Sequence, residues 1–461
     1  MKLIHKFIKN GVPIVLDVNS GSVHVVDMLV YEILDWYPEL KAGDIELKLE
    51  NKYSREKIRE ALEEIKHLES IGQLFSEDIY DGLTASRFGK NVIKALCLHV
   101  AHDCNIRCEY CFASQGDFNS GRLLMDVEVA RKAVDFLIKH SGKRKNIEID
   151  FFGGEPLLNF TVVKETVDYG NRMASDAGKN LKFTITTNAV LLNEKIIDYI
   201  NKNMSNVVLS LDGNRETNDR MRHFDDGSGT YDIVSENIKS FIAERGEKSY
   251  YVRGTFTRYN ADFSKDVLHL ADMGCKSLSV EPVVSEKDKS YAIREEDLAN
   301  ILSEYDILFS ECMERMGTDR EFDFYHFKIN LDQGPCAVKR LTGCGAGYQY
   351  LAVTPEGDLY PCHQFVGDSR FIIGNVFDGI INAEIPETFK AAHVYNKPGC
   401  RNCWAKFYCS GGCHANSYKL TGDINSCYEV GCEMEKKRLE CAIALQVIKK
   451  LKEEKNDQEV S

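Results

Sequence analysis

The sequence lacks three features that would place it in common protein classes. It has no N-terminal signal-peptide pattern, and no apolar run reaches the roughly 20 residues needed to span a bilayer. It also lacks positive charge: the formal net charge of −13 argues against a nucleic-acid substrate, because phosphate contacts need a basic surface. These absences predict a cytoplasmic protein with neither membrane nor nucleic acid as partner.

Cysteine, by contrast, is abundant. The 461 residues include sixteen cysteines. Without a secretory signal, this number argues against a disulfide framework and for metal binding in a reducing compartment. With 43% hydrophobic residues, the chain is long enough for two or three domains that each have a core.

The most informative motif is HVAHDCNIRCEYCF, in which Cys104, Cys108 and Cys111 have the spacing C-x3-C-x2-C. The preceding run KALCLHVA predicts a buried strand, so the cysteines follow the strand end at which α/β proteins carry out chemistry. Three thiolates on one loop suit an iron–sulfur cubane and leave its fourth iron free to chelate a small molecule. A structural zinc site is the alternative, although zinc sites favour C-x2-C knuckles in pairs.

This loop resembles the signature of radical S-adenosylmethionine (SAM) enzymes, including the aromatic residue Tyr110 before the last cysteine. The resemblance implies that the vacant iron binds the amino and carboxylate groups of SAM. It also implies that an electron from the cluster cleaves SAM and releases a 5′-deoxyadenosyl radical.

Further family motifs follow the later predicted strands in order. The segment GGEP follows IEIDFF, Thr187 and Asn188 close KFTITT, and the others lie in VVLSLDG, NDRMRH and SLSVEPV. The resemblance implies that SAM is bound by Gly153, Gly154, Glu155, Asn188, Ser210, Asp212, Arg222 and Glu281.

Residues 92–315 alternate between predicted strands and helices. Six strands, each followed by a returning helix, predict parallel pairing with right-handed crossovers. Helix starts are predicted at Asp126, Asn193 and Asp262. The predicted fold class is therefore α/β, with a partial (β/α)6 TIM barrel whose open side has room for a peptide.

Residues 1–85 predict a separate winged-helix-like module. Three short strands precede a helix capped by Asp27, which buries Leu29 and Trp36, and a second helix capped by Ser54. DNA binding is the familiar use of this shape, but acidic residues crowd the second helix. The module resembles the domain by which peptide maturases bind a leader peptide as an added strand. A purely structural cap is the alternative.

Residues 336–445 contain the second group of cysteines. Cys400-x2-Cys403-x5-Cys409-x3-Cys413 is too regular for chance, and the region resembles the SPASM extension, which holds two auxiliary [4Fe–4S] clusters. The resemblance implies an inner cluster on Cys344, Cys362 and Cys413, and an outer cluster on Cys400, Cys403, Cys409 and Cys432. Cys432 is preferred to Cys427 because a helix start is predicted after it. Cys336 is the candidate fourth inner ligand, and an open iron is the alternative. Residues 446–461 are expected to form a tail.

The whole chain most closely resembles radical SAM/SPASM maturases that build thioether bridges in SCIFF peptides, which are small cysteine-rich precursors. This implies three [4Fe–4S] clusters, SAM, a precursor peptide whose leader binds the N-terminal module, and a flavodoxin- or ferredoxin-type electron donor. The expected product links cysteine sulfur to a carbon of threonine or a similar acceptor. The alternatives are an anaerobic sulfatase-maturing enzyme and a non-catalytic iron–sulfur DNA regulator. The sequence identifies no general base.

Overall fold

The computed structural model describes residues 3–82, 91–331 and 337–460, with residues 337, 338 and 456–460 described by their backbone alone. The predicted candidate ligand Cys336 lies outside these residues.

The N-terminal module is a three-stranded antiparallel sheet followed by three helices. The strands lie in sequential order, and buried residues of the helices pack against the sheet in one cluster that includes Val15, Ile33 and Leu62. The Asp27 carboxylate caps the first helix by accepting a bond from the Val30 amide at 2.8 Å. The elements are the strands Ile4–Lys9, Val12–Asp17 and Val23–Val25 and the helices Met28–Ile33, Ala42–Leu49 and Arg55–Ser70.

Two details of this module differ from the sequence prediction. The prediction that Trp36 is buried is wrong: the first helix ends at Ile33, so Trp36 does not continue its buried face and is 39% exposed. Its ring instead lies 4.1 Å from the Lys48 ammonium. The helix Ala42–Leu49, which carries Lys48, was not predicted.

The central domain contains the six predicted strands, all paired in parallel and in sequential order. On each strand, alternate residues face the surrounding helices. On the second strand, Ile147, Ile149 and Phe151 are buried, whereas Glu148 and Asp150 line the barrel interior. The strands are Ala95–His102, Asn146–Gly153, Asn180–Thr187, Asn206–Ser210, Tyr251–Phe256 and Ser277–Pro282.

Helices return the chain between successive strands and form the outer layer. Asp126 and Asn193 cap two of them through side-chain bonds to backbone amides, as predicted. The layer consists of Val127–His140, Phe160–Asp176, Glu194–Asn203, Arg215–Met221, Tyr231–Arg245, Ser264–Asp272 and Leu298–Arg315. This is the α/β partial barrel that the alternation predicts.

The barrel sheet continues beyond its six strands on both sides. The last strand pairs in parallel with Asp323–Phe324, and the first pairs in parallel with Tyr350–Val353. Tyr350–Val353 then leads into the antiparallel strands Asp358–Tyr360, Gly374–Asn375 and Gly379–Ile380. The first and last barrel strands therefore have other partners, and the barrel is open.

Within the described chain, the C-terminal region consists of this sheet extension, five α-helices and the turns that carry the auxiliary cysteines. Its helices are Ala337–Thr342, Glu384–Ala391, Lys406–Cys409, His414–Thr421 and Glu429–Val460. The last helix begins three residues before Cys432 and continues through the segment expected to be a tail. That expectation is wrong for the start of the segment, because Val447 and Ile448 of this helix pack into the core. No helix in the described ranges has the length and apolar character that crossing a membrane requires.

Candidate active site and auxiliary cysteines

The loop after the first barrel strand brings its three cysteines to one cavity. Cys104, Cys108 and Cys111 line a space of about 200 Å³ at the carboxyl ends of the barrel strands. A short antiparallel pairing of Arg107–Cys108 with Arg222–His223 fixes the loop. Burial raises the pKa of the Cys104 thiol to about 12. Without a bound cation, this group is therefore a thiol at neutral pH, whereas metal binding requires the thiolate.

Glycines let the cysteine loop pack directly on the GGEP turn. A Cβ atom added to Gly154 would lie 2.1 Å from the Asp103 carbonyl oxygen, and one on Gly116 would lie 2.7 Å from Cβ of Cys104. The Glu155 amide also donates to the Asp103 carbonyl at 2.8 Å. The structure thus places the predicted GGEP segment beneath the cysteine loop.

Glu155 is fully buried and its carboxylate binds the protein itself. Oε1 accepts from the Thr187 hydroxyl at 2.7 Å and the Leu157 amide at 3.0 Å, and Oε2 accepts from the Asn188 amide at 2.8 Å. Burial raises the pKa of Glu155 to about 7. The Asn188 side chain lies 3.6 Å from Sγ of Cys104. Glu155 therefore joins the GGEP turn to the end of the third barrel strand.

Asp212 has a similar role on the opposite side of the loop. Its fully buried carboxylate accepts from the Tyr110 hydroxyl, from Nε of Arg222 at 3.2 Å and from the Thr255 amide at 3.0 Å. Arg222 also donates to the Tyr110 hydroxyl at 2.8 Å. The aromatic residue of the cysteine motif is therefore tied to the fourth and fifth strands.

The predicted SAM-binding residues fall into two groups. Glu155 and Asp212 lie behind the cavity wall and position other groups. The remaining six line the cavity: Gly153, Gly154, Asn188, Ser210, Arg222 and Glu281.

Sequence reasoning missed Arg253, which also lines this cavity. Arg253 pairs with Glu281 at 2.6 Å. Burial alone would raise the pKa of Glu281, but Arg253 and the nearby His326 lower it to about 2. The alternation of the strand YYVRGTFT was the available signal, because it places Arg253 on the inward face.

A second cavity, of about 1250 Å³, connects the barrel interior to the C-terminal cysteines. All eight cysteines at positions 344–432 of the chain line it: Cys344, Cys362, Cys400, Cys403, Cys409, Cys413, Cys427 and Cys432. The two cavities share the wall residues Phe152, Thr186, Arg253, Glu281, Pro282, Val284, His363 and Gln364. The cysteine loop and the auxiliary cysteines therefore line two adjacent cavities that have a common wall.

The auxiliary cysteines lie in two groups of neighbouring thiols. Burial raises the pKa of Cys362, and its neighbours Cys413 and Cys344 raise it further. In the outer group, Sγ of Cys427 lies 3.5 Å from Sγ of Cys400. Cys432 is also close: burial, then Cys427 and Cys403, raise its pKa to about 11. Since both stand beside the outer group, the preference for Cys432 stays a prediction.

Three histidines near the cysteine loop have hydrogen-bond partners within the protein. His99 bonds His102 at 3.2 Å, and His102 bonds the Ser120 hydroxyl at 2.9 Å. His363 lines both cavities and lies 3.2 Å from the Tyr350 hydroxyl. The remaining cysteines of the described residues are all buried: Cys97, Cys275, Cys312 and Cys441.

Two family descriptions match the two cysteine regions. A "4Fe-4S single cluster domain" matches residues 93–232, and the SPASM "iron-sulfur cluster-binding domain" matches residues 344–404. The radical SAM cyclopropyl synthase TigE of Paramaledivibacter caminithermalis is 23% identical over 376 residues, covering 75% of this chain and 72% of that protein. The chain belongs to the radical SAM/SPASM family.

Other relatives extend the comparison. An uncharacterized protein of Methanocaldococcus jannaschii is 32% identical over 296 residues, covering 62% of this radical SAM/SPASM chain and 90% of that protein. A cysteine-type anaerobic sulfatase-maturating enzyme of Clostridium novyi is 23% identical over 335 residues, covering 68% and 86% respectively.

Solved structures show the same fold. The structure of anSMEcpe with bound SAM aligns with a TM-score of 0.62 at 18% identity, covering 77% of this chain and 98% of that one. SuiB of Streptococcus suis bound to SAM aligns with a TM-score of 0.53 at 18% identity, covering 92% and 97%.

Iron–sulfur clusters and SAM are the cofactors of this radical SAM/SPASM enzyme, and the residues present fit them. The three thiols of the cysteine loop line one cavity, and thiolates are the ligands that iron–sulfur clusters prefer. Among the described residues, no three His, Cys, Asp or Glu side chains converge on a single metal-ion position. Cys104, Cys108 and Cys111 would hold the SAM-binding cluster.

Proposed function

We propose that this radical SAM peptide maturase installs thioether cross-links between cysteine sulfur and a carbon of threonine or a similar acceptor. Its substrate would be a cysteine-rich, ribosomally synthesised precursor. The observation that carries the proposal is the common wall between the cavity of the cysteine loop and the cavity of the auxiliary cysteines. A peptide segment lying there would have its acceptor carbon near the SAM site and its cysteine near the inner auxiliary group.

A peptide complex of a structural neighbour supports a peptide substrate. One neighbouring structure is SuiB bound to the precursor peptide SuiA. When bound, the SAM-binding cluster and SAM supply the 5′-deoxyadenosyl radical that abstracts one hydrogen atom from the acceptor carbon. Closing the bridge then releases the thiol proton and one electron, so the peptide loses two hydrogens per bridge. The inner residues Cys344, Cys362 and Cys413 and the outer residues Cys400, Cys403, Cys409 and Cys432 would hold electron-accepting clusters.

The N-terminal module offers an edge for the leader peptide. Val23–Val25 pairs with the central strand on one side only, and within the described chain no strand covers its other side. Val25, on this edge strand, is 48% exposed. The opposite edge strand is engaged by the last helix, through a 2.9 Å contact between His5 and Glu440. We therefore assign the leader to the Val23–Val25 edge, where it would add a strand.

The proposal includes a flavodoxin- or ferredoxin-type electron donor and a cytoplasmic location, because three clusters and their free thiols need a reducing compartment. It includes three [4Fe–4S] clusters, or about twelve irons per chain.

The test is the intact mass of the cysteine-rich peptide encoded nearest the gene, co-expressed with the enzyme without oxygen. Thioether formation predicts the loss of two hydrogens per bridge and a cysteine that resists alkylation under reducing conditions. Cysteine-to-formylglycine conversion, which replaces sulfur by oxygen with the loss of two hydrogens, would instead assign the sulfatase-maturating activity named for the Clostridium novyi relative. An unmodified peptide with continued SAM cleavage would reject this substrate.

Leader binding has a separate test with a matched control. Val25→Lys places a charge on the proposed docking edge and should weaken binding of a fluorescent leader peptide at least tenfold. Ile8→Lys changes an equally exposed residue, at 47%, on the opposite edge strand and should not. Equal weakening by both variants would contradict the assigned edge.

A further inference from the structure

Lys397 is buried without a carboxylate partner. It is 0% exposed, and its ammonium donates to the Gly411 carbonyl at 2.8 Å and lies 3.4 Å from Nδ1 of His414. A buried ammonium is normally paired with a carboxylate, as in Lys406, which pairs with Asp78 at 2.7 Å. Among the described residues Lys397 forms no such pair. An ammonium is costly to bury without a negative charge close to it.

The groups around Lys397 are predicted cluster ligands. Burial lowers the pKa of Lys397, whereas Cys400, Cys427, Cys409 and Cys413 oppose that effect. Its hydrogen-bond acceptor, Gly411, lies midway between Cys409 of the outer group and Cys413 of the inner group. The backbone there turns through the left-handed φ angles 58°, 88° and 73° at residues 410–412. Lys397 thus stands between the two auxiliary groups.

Lys419, which is partly buried, lies between the inner group and the SAM-site loop. Its ammonium donates to Oε1 of Gln364 at 2.9 Å and lies 5.4 Å from the ring centre of Phe112. Gln364 lies two residues after Cys362 of the inner group, and Phe112 directly follows Cys111 of the SAM-site loop. Burial lowers the pKa of Lys419, and the nearby Cys362, Glu286, Cys413 and Cys111 oppose that effect.

A cluster held by thiolates is anionic, and nearby positive charge favours its reduced form. We propose that Lys397 and Lys419 are fixed counter-charges between successive clusters. Lys397 raises the reduction potentials of the outer and inner auxiliary clusters, and Lys419 raises those of the inner and SAM-binding clusters. The proposal rests on the cluster ligands assigned above, but not on the identity of the peptide.

The test is a potentiometric titration of the reconstituted enzyme followed by electron paramagnetic resonance, with added SAM marking the SAM-binding cluster. Lys397→Gln should lower the midpoints of both auxiliary clusters by at least 59 mV, a tenfold fall in the reduced-to-oxidised ratio at fixed potential. The SAM-binding midpoint should stay constant. Lys419→Gln should lower the inner and SAM-binding midpoints and leave the outer one constant.

Two further variants separate charge from shape. Lys397→Arg keeps the charge and should retain the wild-type midpoints. Lys436→Gln removes a lysine that is also near Cys403 and Cys432 but is paired with Glu433 at 2.7 Å and partly exposed, so it should have a much smaller effect.

Each outcome decides the proposal. Full iron with unshifted midpoints in Lys397→Gln overturns it, as do equal effects of Lys397→Gln and Lys397→Arg, since shape rather than charge would then matter. Loss of auxiliary iron in Lys397→Gln alone, with Lys397→Arg intact, supports the counter-charge. Wild-type enzyme with only four irons would overturn the auxiliary ligand assignment itself, whereas a failed peptide reaction would leave these potentials unaffected.

Discussion

At the residue scale, Gly154 shows how closely two loops must approach. Gly154→Ala would place a Cβ 2.1 Å from the backbone oxygen of Asp103, which belongs to the cysteine loop and cannot easily move. We expect a destabilisation of about 3 kcal/mol, loss of the SAM-site iron and loss of SAM cleavage. Iron analysis and 5′-deoxyadenosine measurement check this. Gly43→Ala, in a helix with open space around it, is the control; full iron in Gly154→Ala would contradict the prediction.

Tyr110 gives a second prediction at this scale. Tyr110→Phe removes the hydroxyl that donates to Asp212 and accepts from Arg222, which lines the SAM cavity. We expect a loss of about 1 kcal/mol in stability and roughly tenfold weaker SAM binding, measured by anaerobic calorimetry. Tyr259→Phe, at a residue that is 44% exposed, should match the wild type. Unchanged SAM affinity in Tyr110→Phe would show that Arg222 is held by other contacts.

Single residues also show where sequence reasoning succeeds. Cys104, Cys108 and Cys111 lie on one short loop, so their spacing in the sequence already indicates that their thiols are close together. Lys397 and Lys419 have no such signal in the sequence. Their proposed role depends on cysteines that the fold brings beside them from other parts of the chain. Glu155 belongs to a motif and was found, but only the folded chain shows that its carboxylate holds Thr187 and Asn188.

At the scale of elements, one buried ion pair joins the segment after the N-terminal module to the outer cysteine region. Asp78 and Lys406 lie 2.7 Å apart, with side chains 7% and 4% exposed. Burial would raise the pKa of Asp78, but bonds from Lys406 and Tyr395 lower it below its ordinary value of 3.8. A lowered carboxyl pKa stabilises the fold above pH 3.8 and loses that contribution as the pH falls through the folded-state pKa. The pair is therefore fully formed at neutral pH.

Asp78→Asn should consequently destabilise the protein by about 3 kcal/mol, because it leaves the Lys406 ammonium buried without a negative partner. Anaerobic thermal unfolding at pH 7 measures the effect. The neighbouring pair of Asp81 and Arg401 is exposed, so Asp81→Asn should cost less than about 1 kcal/mol. Similar costs for the two variants would mean that solvent reaches Lys406.

The sequence predicted the elements that have a local signal, such as alternating burial or a capping residue. It did not predict the strand that is defined by pairing with a distant part of the chain. Period-two alternation and capping residues such as Asp126 and Asn193 indicated the six strands and several helices. The pairing of Tyr350–Val353 with the first barrel strand could not be predicted, because it joins segments almost 250 positions apart and leaves no local signature. The short helix Ala42–Leu49 was missed because its apolar residues are too few to show a clear period.

At the scale of the whole molecule, the three cysteine groups should load iron separately. Replacing Cys104, Cys108 and Cys111 together by alanine should remove about four of about twelve irons and abolish SAM cleavage, while the auxiliary clusters remain. Iron and sulfide analysis with Mössbauer spectroscopy checks this. Retention of all iron, or loss of all of it, would contradict independent sites.

The shared sheet also has a consequence for biosynthesis. Ala95–His102 leaves the ribosome long before Tyr350–Val353, its partner on one side. Throughout that interval the growing chain presents an unpaired strand edge, which is a template for association with other chains. We expect a truncation ending at residue 345, although it contains every barrel strand, to aggregate on expression, whereas the full chain stays in the supernatant after centrifugation. The C-terminal region would thus cover this strand edge and prevent its association with other chains.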